Sequence, residues 1–223
     1  GEIASMKISA SEPVERNRPN TGPADWPELQ ERATKLLRFP QGGDFGSRFQ
    51  ALHEELLRHT TQTPDATVLA LIYLSAQETR LYSATHAMLV SCVCMLTARE
   101  VLNWPEAKVL TLGRAALSMN LAMTELQDQL VQQAHPLTAT QIAAVENHAT
   151  RSEALLRQLG VADPVWLEAV RSHHHRLPGP LNDKTEAQQM ARLIQRADIF
   201  AARLAPRATR WPMPVTAAMQ ASY

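Results

Sequence analysis

The stretch LTATQIAAVENHATRSEALLRQLG, residues 137–160, carries its own start and stop signals. Thr138 with Gln141 three residues on forms a capping box, Leu137 is placed as the hydrophobic staple, and Leu159-Gly160 is a helix stop. Between them Val145, His148, Ser152 and Leu155 recur at helical spacing, which predicts one helix whose buried stripe includes an imidazole. The same signals continue on both sides. Downstream, Asp163-Pro164 opens a helix that contains Trp166, Leu167 and Val170 and ends in His173, His174 and His175, after which Pro178-Gly179-Pro180 breaks the chain. A last long helix, roughly Glu186 to Leu204, places Asp198 with Ile194 and Ala201 on its inner face. Upstream, a helix from about Ser83 to Leu102 aligns His86 with Leu89, Val90, Val93 and Leu96, and Pro105 restarts the chain into Val109, Leu112, Ala116 and Met119. No segment alternates like a strand and no repeat is present. The fold class is all-α.

Farther upstream the pattern stays helical. Asp25, Pro27 and Glu28 supply an N-cap, a helix-start proline and a capping-box acid ahead of Leu29, Ala33, Leu36 and Leu37, in a helix that ends near Phe39-Pro40. A second helix carries Phe49, Leu52, Leu56 and Leu57, and Asp65 is read as the cap of a third through Leu69, Ile72 and Leu74. Residues 1–24, rich in Pro and polar groups, read as a disordered tail. The expected organisation is therefore a tail at 1–24, accessory helices at 25–80 that offer a surface for a homodimer, and a helical domain at 81–223.

Composition removes several function classes. The 223 residues hold 22 Lys+Arg and 22 Asp+Glu, so the chain lacks the global positive charge of a general DNA binder. Only 8 Gly are present, and neither GxGxxG nor GxxxxGK[ST] occurs. Cys92 and Cys94, two apart in an apolar helix, point to different sides and read as small core hydrophobes of a reducing compartment. No apolar run is read as long enough for a membrane helix, and the N-terminus lacks the order of a signal peptide. The expectation is a cytoplasmic protein with neither DNA nor membrane as partner.

What stands out is 8 His, three of them consecutive. His86, His148 and Asp198 each interrupt an apolar stripe, where an ionisable group is costly unless paired or bound. Imidazoles converging with a carboxylate make a metal-site composition suited to Fe, Mn or Zn. Each residue also has a plainer reading: a satisfied core histidine, an interhelical acceptor, or a solvated helix end. Met88, Met95, Met119 and Met123 read as core filler, and Ser118 lacks the companions of a nucleophile. Gln127, Gln129, Gln132 and Gln133 read as a solvent-facing amide face. Arg192, Arg196, Arg203, Arg207 and Arg210 read either as a phosphate-binding row or as a salt-bridged face.

From about Tyr82 to Arg210 the order of these residues resembles the HD-GYP branch of the HD superfamily, whose members include metal-dependent cyclic di-GMP phosphodiesterases. Tyr82-Ser83-Ala84-Thr85-His86 is similar to the family's early histidine. Leu112 to Met123 takes the place of the helix that bears the HD dyad. Leu137-Thr138, Gln141 and Asn147-His148 resemble the segment that ends in a ligand histidine. Val170-Arg171-Ser172-His173-His174 looks like the paired histidines, Ala197-Asp198-Ile199-Phe200 like the terminal aspartate segment, and Arg207-Ala208-Thr209-Arg210 like the R-x-Y-R that follows it. The resemblance implies an HD-type helical bundle with metal ligands His86, His148, His173, His174 and Asp198, and with Arg207 and Arg210 toward a phospho-ligand.

The departures shape the expected function. Met119-Asn120 stands where the family has His-Asp, Met123 where its lysine falls, and His175 where it has a glutamate, while the GYP loop is missing. A neutral amide cannot supply a bridging carboxylate, and a thioether is a poor ligand for the harder metals. The expectation is a module without efficient dinuclear hydrolysis that holds one divalent metal or none and that binds a cyclic dinucleotide, another phospho-ligand or a signalling protein. The alternatives are a residual mononuclear phosphohydrolase and a purely structural scaffold.

Overall fold

The computed structural model describes residues 22–204, which form helices and no strand. In chain order the helices are α1 (Trp26–Arg38), α2 (Phe45–Gln62), α3 (Pro64–Gln77), α4 (Tyr82–Leu96), α5 (Glu106–Ser118), α6 (Thr124–Gln132), α7 (Ala139–Glu146), α8 (His148–Gln158), α9 (Pro164–Ser172) and α10 (Glu186–Leu204). Short 3-10 turns precede α4 and α6, and a π-turn at Thr97–Val101 prolongs α4. The expected tail lies outside the described residues except for its last three positions, as do Arg207 and Arg210.

The cap signals act where they stand. Asp25 accepts from the Glu28 amide at 3.2 Å, Thr138 and Gln141 form the complete reciprocal box, and Asp163 accepts from the amides of Val165 and Trp166. Asp65 is not the cap of α3. Thr63 holds that position without a side-chain cap bond, its hydroxyl donating to the His59 carbonyl, and Asp65 sits inside the first turn, where its charge faces the positive helix end.

Helix α4 is the hub, with α1, α2, α3, α5, α6 and α10 packed around it. From Tyr82 to Met95 every residue but Val93 is buried, so α4 has no polar face at all and the expected stripe understates its burial. The segment Thr79–Val101 has the length and composition to cross a membrane, contrary to the sequence expectation, but 78% of its most apolar window is covered by the other helices. A helix apolar all round is buried by something, and here its own bundle does it. Its buried hydroxyls are matched accordingly: Ser91 donates to the Gly113 carbonyl at 2.8 Å, and Thr85 accepts from Gln30 at 2.7 Å. One hydrophobic core runs from Leu29 of α1 to Ala201 of α10. The helices of residues 25–80 thus lie as a layer against α4.

The helix predicted over 138–159 is broken in two at Asn147. Asn147 Nδ2 donates to the Ala143 carbonyl at 2.9 Å beside the helical bond from its own amide, and His148 Nδ1 bonds the Val145 carbonyl, an acceptor that a continuous helix would use. The break sets His148 at the start of α8 with its ring turned inward.

A candidate metal centre of three imidazoles

His148, at the α7–α8 break, and His173 and His174, just past the end of α9, are brought together in the interior. All three are buried, and one nitrogen of each lies within 4.8 Å of the others. His148 Nε2 is 3.2 Å from His173 Nε2 and 3.0 Å from His174 Nε2.

The tautomers follow from the helix ends. His148 Nδ1 lies 2.5 Å from the Val145 carbonyl, and His173 Nδ1 lies 2.5 Å from the Val170 carbonyl. These carbonyls belong to the last turns of α7 and α9, where helical acceptors are left over. A carbonyl only accepts, so both Nδ1 atoms carry the proton and both Nε2 atoms present lone pairs. Two such lone pairs face each other at 3.2 Å with neither ring supplying a proton between them. A donated proton from His174 can relieve one of them; a cation among the three relieves all. A four-coordinate ion bonded to imidazole nitrogens at 2.0–2.1 Å sets its ligands about 3.3 Å apart, close to the spacing present. The carbonyls behind the rings provide the support that metal-binding imidazoles need.

Burial and then the neighbouring His148 hold the His173 imidazole down at about 4. Burial followed by the adjacent imidazoles lowers His174, and burial lowers His148 against the opposing pull of the Val145 carbonyl and Asp198. All three are neutral at pH 7, the form that ligates.

The two remaining sequence candidates form a pair of their own. His86 Nε2 donates to Asp198 Oδ1 at 2.6 Å, joining α4 to α10, and Tyr82 hydroxyl donates to His86 Nδ1 at 3.2 Å. Burial pushes the Asp198 carboxyl up, but the hydrogen bond from His86, with weaker help from His173 and His148, brings it below the usual range. Asp198 is therefore a carboxylate whose field reaches the triad, although it stands outside the group of three.

The substituted positions separate as well. Met119 and Met123 are buried apolar side chains. Asn120 donates weakly to Gln127 at 3.5 Å and leaves its buried Oδ1 without a partner among the described residues. This corner packs on α8, with the Ala122 amide donating to Ser152 at 3.0 Å. His175 is exposed. Ser118 accepts from Trp166 Nε1 and donates to the Arg114 carbonyl, both at 2.8 Å, which makes it a tie between α5 and α9. Cys92 and Cys94 are free and buried; burial pushes the Cys92 thiol up to about 12 and, with Asp198 behind it, raises Cys94. Neither is a reactive thiolate at neutral pH.

Sequence reasoning passed over three groups. Tyr82 bonds the His86 Nδ1 that Asp198 leaves without the proton, a role visible only in the i,i+4 spacing of the two residues. Asp128, buried on α6, accepts from Ser83 N and Ser83 Oγ at 2.7 Å and from Arg38 at 2.9 Å, capping the hub helix from outside it. His53 is fully buried with neither ring nitrogen partnered among the described residues.

No protein-family model, no curated protein and no solved structure matches this chain.

Proposed function

We propose that the protein is a metal-holding binding module of HD-GYP-like descent that has lost efficient phosphodiester hydrolysis. The observation that carries it is the set of three buried imidazoles whose protons are held on Nδ1, for His148 and His173, by helix-end carbonyls, leaving Nε2 lone pairs converging on one point. An all-imidazole set favours Zn or Fe over Mn, which prefers carboxylate oxygens. Asp198, held by His86, gives the site negative charge at one remove. The order of these residues along the chain supports HD descent, and the Met119-Asn120 pair argues against a second metal, because no carboxylate is left there to bridge. The Asn120 Oδ1, without a partner among the described residues, is a neutral acceptor in a buried position, compatible with one cation or its hydration.

Three nitrogen ligands leave a position open, which favours a residual mononuclear phosphohydrolase as the second reading. A metal so held would act as a Lewis acid toward a phosphoryl oxygen. Hydrolysis of bis-(p-nitrophenyl) phosphate and of cyclic di-GMP with Zn, Fe or Mn supplied separates the two. The binding module shows metal uptake without turnover. Turnover that disappears in His173→Ala establishes the enzyme.

A further inference from the structure

A cleft of 670 Å³ lies between the loop that follows the histidines and the outer face of α10. Among the described residues five cations line it, Arg176, Lys184, Arg192, Arg196 and Arg203, and no Asp or Glu does. The chain as a whole has equal numbers of both signs, so this is a local concentration of charge. Arg192, Arg196 and Arg203 fall within 40° of one another around α10 at 100° per residue, forming one row along the helix. Among the described residues, Lys184, Arg192, Arg196 and Arg203 form no ion pair with a carboxylate.

Two of these cations build the opposite wall. Arg192 donates to the Gly179 carbonyl at 2.8 Å and to the Leu177 carbonyl at 2.5 Å, and Lys184 Nζ donates to the Pro178 carbonyl at 2.6 Å. Carbonyls satisfy the N–H groups without neutralising the charge. The loop is thus fastened to α10 with a net positive field in the gap, while the Arg196 and Arg203 side chains are exposed at its edge.

We infer that this cleft binds a small molecule carrying two or more phosphate groups. The inference deepens the phospho-ligand part of the binding-module reading, and it does not require the metal. A concave site of this volume suits a small ligand, and guanidinium forks along one row match successive phosphates. Among the described residues His175 is the one aromatic ring lining the cleft, so they offer little stacking platform for the bases of a single-stranded nucleic acid.

The test is calorimetric titration of the full chain with tripolyphosphate, pyrophosphate and inorganic phosphate, with a chelator present. The expected result is 1:1 binding that strengthens from phosphate to tripolyphosphate. Arg196→Gln and Arg203→Gln should each weaken tripolyphosphate about tenfold, the size of one charge-assisted hydrogen bond, without changing the melting temperature or the uptake of Zn by the histidines. Arg151→Gln, on the exposed side of α8, should change nothing. The inference is overturned by the absence of binding, by an equal effect of Arg151→Gln, or by tighter binding of single-stranded RNA or anionic vesicles. Because Zn uptake is read separately, failure here leaves the metal reading standing, and the reverse also holds.

Discussion

At the scale of single residues, the chemistry is decided by what sits behind each imidazole. His148 and His173 are set to ligate by backbone carbonyls, whereas His86 is set to donate by a carboxylate. His53 has no hydrogen-bond partner behind it among the described residues. Burial, then the charge of Arg114, holds it down at about 4 against 6.5 in an exposed imidazole. The unfolded chain therefore binds a proton at higher pH than the fold does. The His53 contribution is intact above pH 6.5, is lost as the pH falls below that value, and levels off near 4, with a total loss on the order of 3 kcal/mol. Urea denaturation of wild type and His53→Leu at pH 7.5 and 4.5 checks this: the variant should lose less stability on acidification. Tyr82→Phe should leave His86 bonded to Asp198 while lowering stability by about 1 kcal/mol, the value of one buried hydrogen bond, as read from the urea midpoint.

At the scale of elements, the local signals were legible and the distant ones were not. Asp25, Thr138 with Gln141, and Asp163 cap their helices as read, because a cap needs only its own next three residues. The inward faces carrying His148 and Asp198 were equally legible from period alone. The break at Asn147 was hidden because it depends on the His148 ring competing for the Val145 carbonyl inside a good helical pattern. The Asp128 cap of α4 and the His86–Asp198 bond join residues 45 and 112 positions apart, and only the packing of the bundle brings them together. Asp128→Ala should strand the Ser83 amide and leave the partly exposed Arg38 guanidinium with the Arg80 carbonyl, costing about 1–3 kcal/mol by chemical denaturation. Helix α5 passes close under α4: a Cβ on Gly113 would lie 2.6 Å from Met95 Sδ and 2.7 Å from His53 Nε2, both side chains fully buried. Gly113→Ala should therefore destabilise by about 1–3 kcal/mol, again read from the urea midpoint.

At the scale of the whole molecule, one core gathers the N-terminal layer, the hub helix and the histidine-bearing helices, with the imidazole triad at the meeting of α8 and the end of α9. Binding of an ion to the folded state alone should raise the stability of the entire chain, by about 2.7 kcal/mol at a free concentration one hundred times the dissociation constant. For a chain of this size that corresponds to a rise of about 5–10 °C in melting temperature. Loss of a ligand should weaken the metal more than the roughly 10–100-fold seen when an outer-shell partner is removed. The most direct test is a Zn titration of protein prepared with chelator and then freed of it, with stoichiometry and melting temperature read on the wild type, His148→Ala, His173→Ala and His86→Gln. The account predicts one Zn per chain with thermal stabilisation, lost in His148→Ala and His173→Ala and retained in His86→Gln. Absence of stoichiometric Zn in the wild type, or binding that survives both alanine variants, would contradict it.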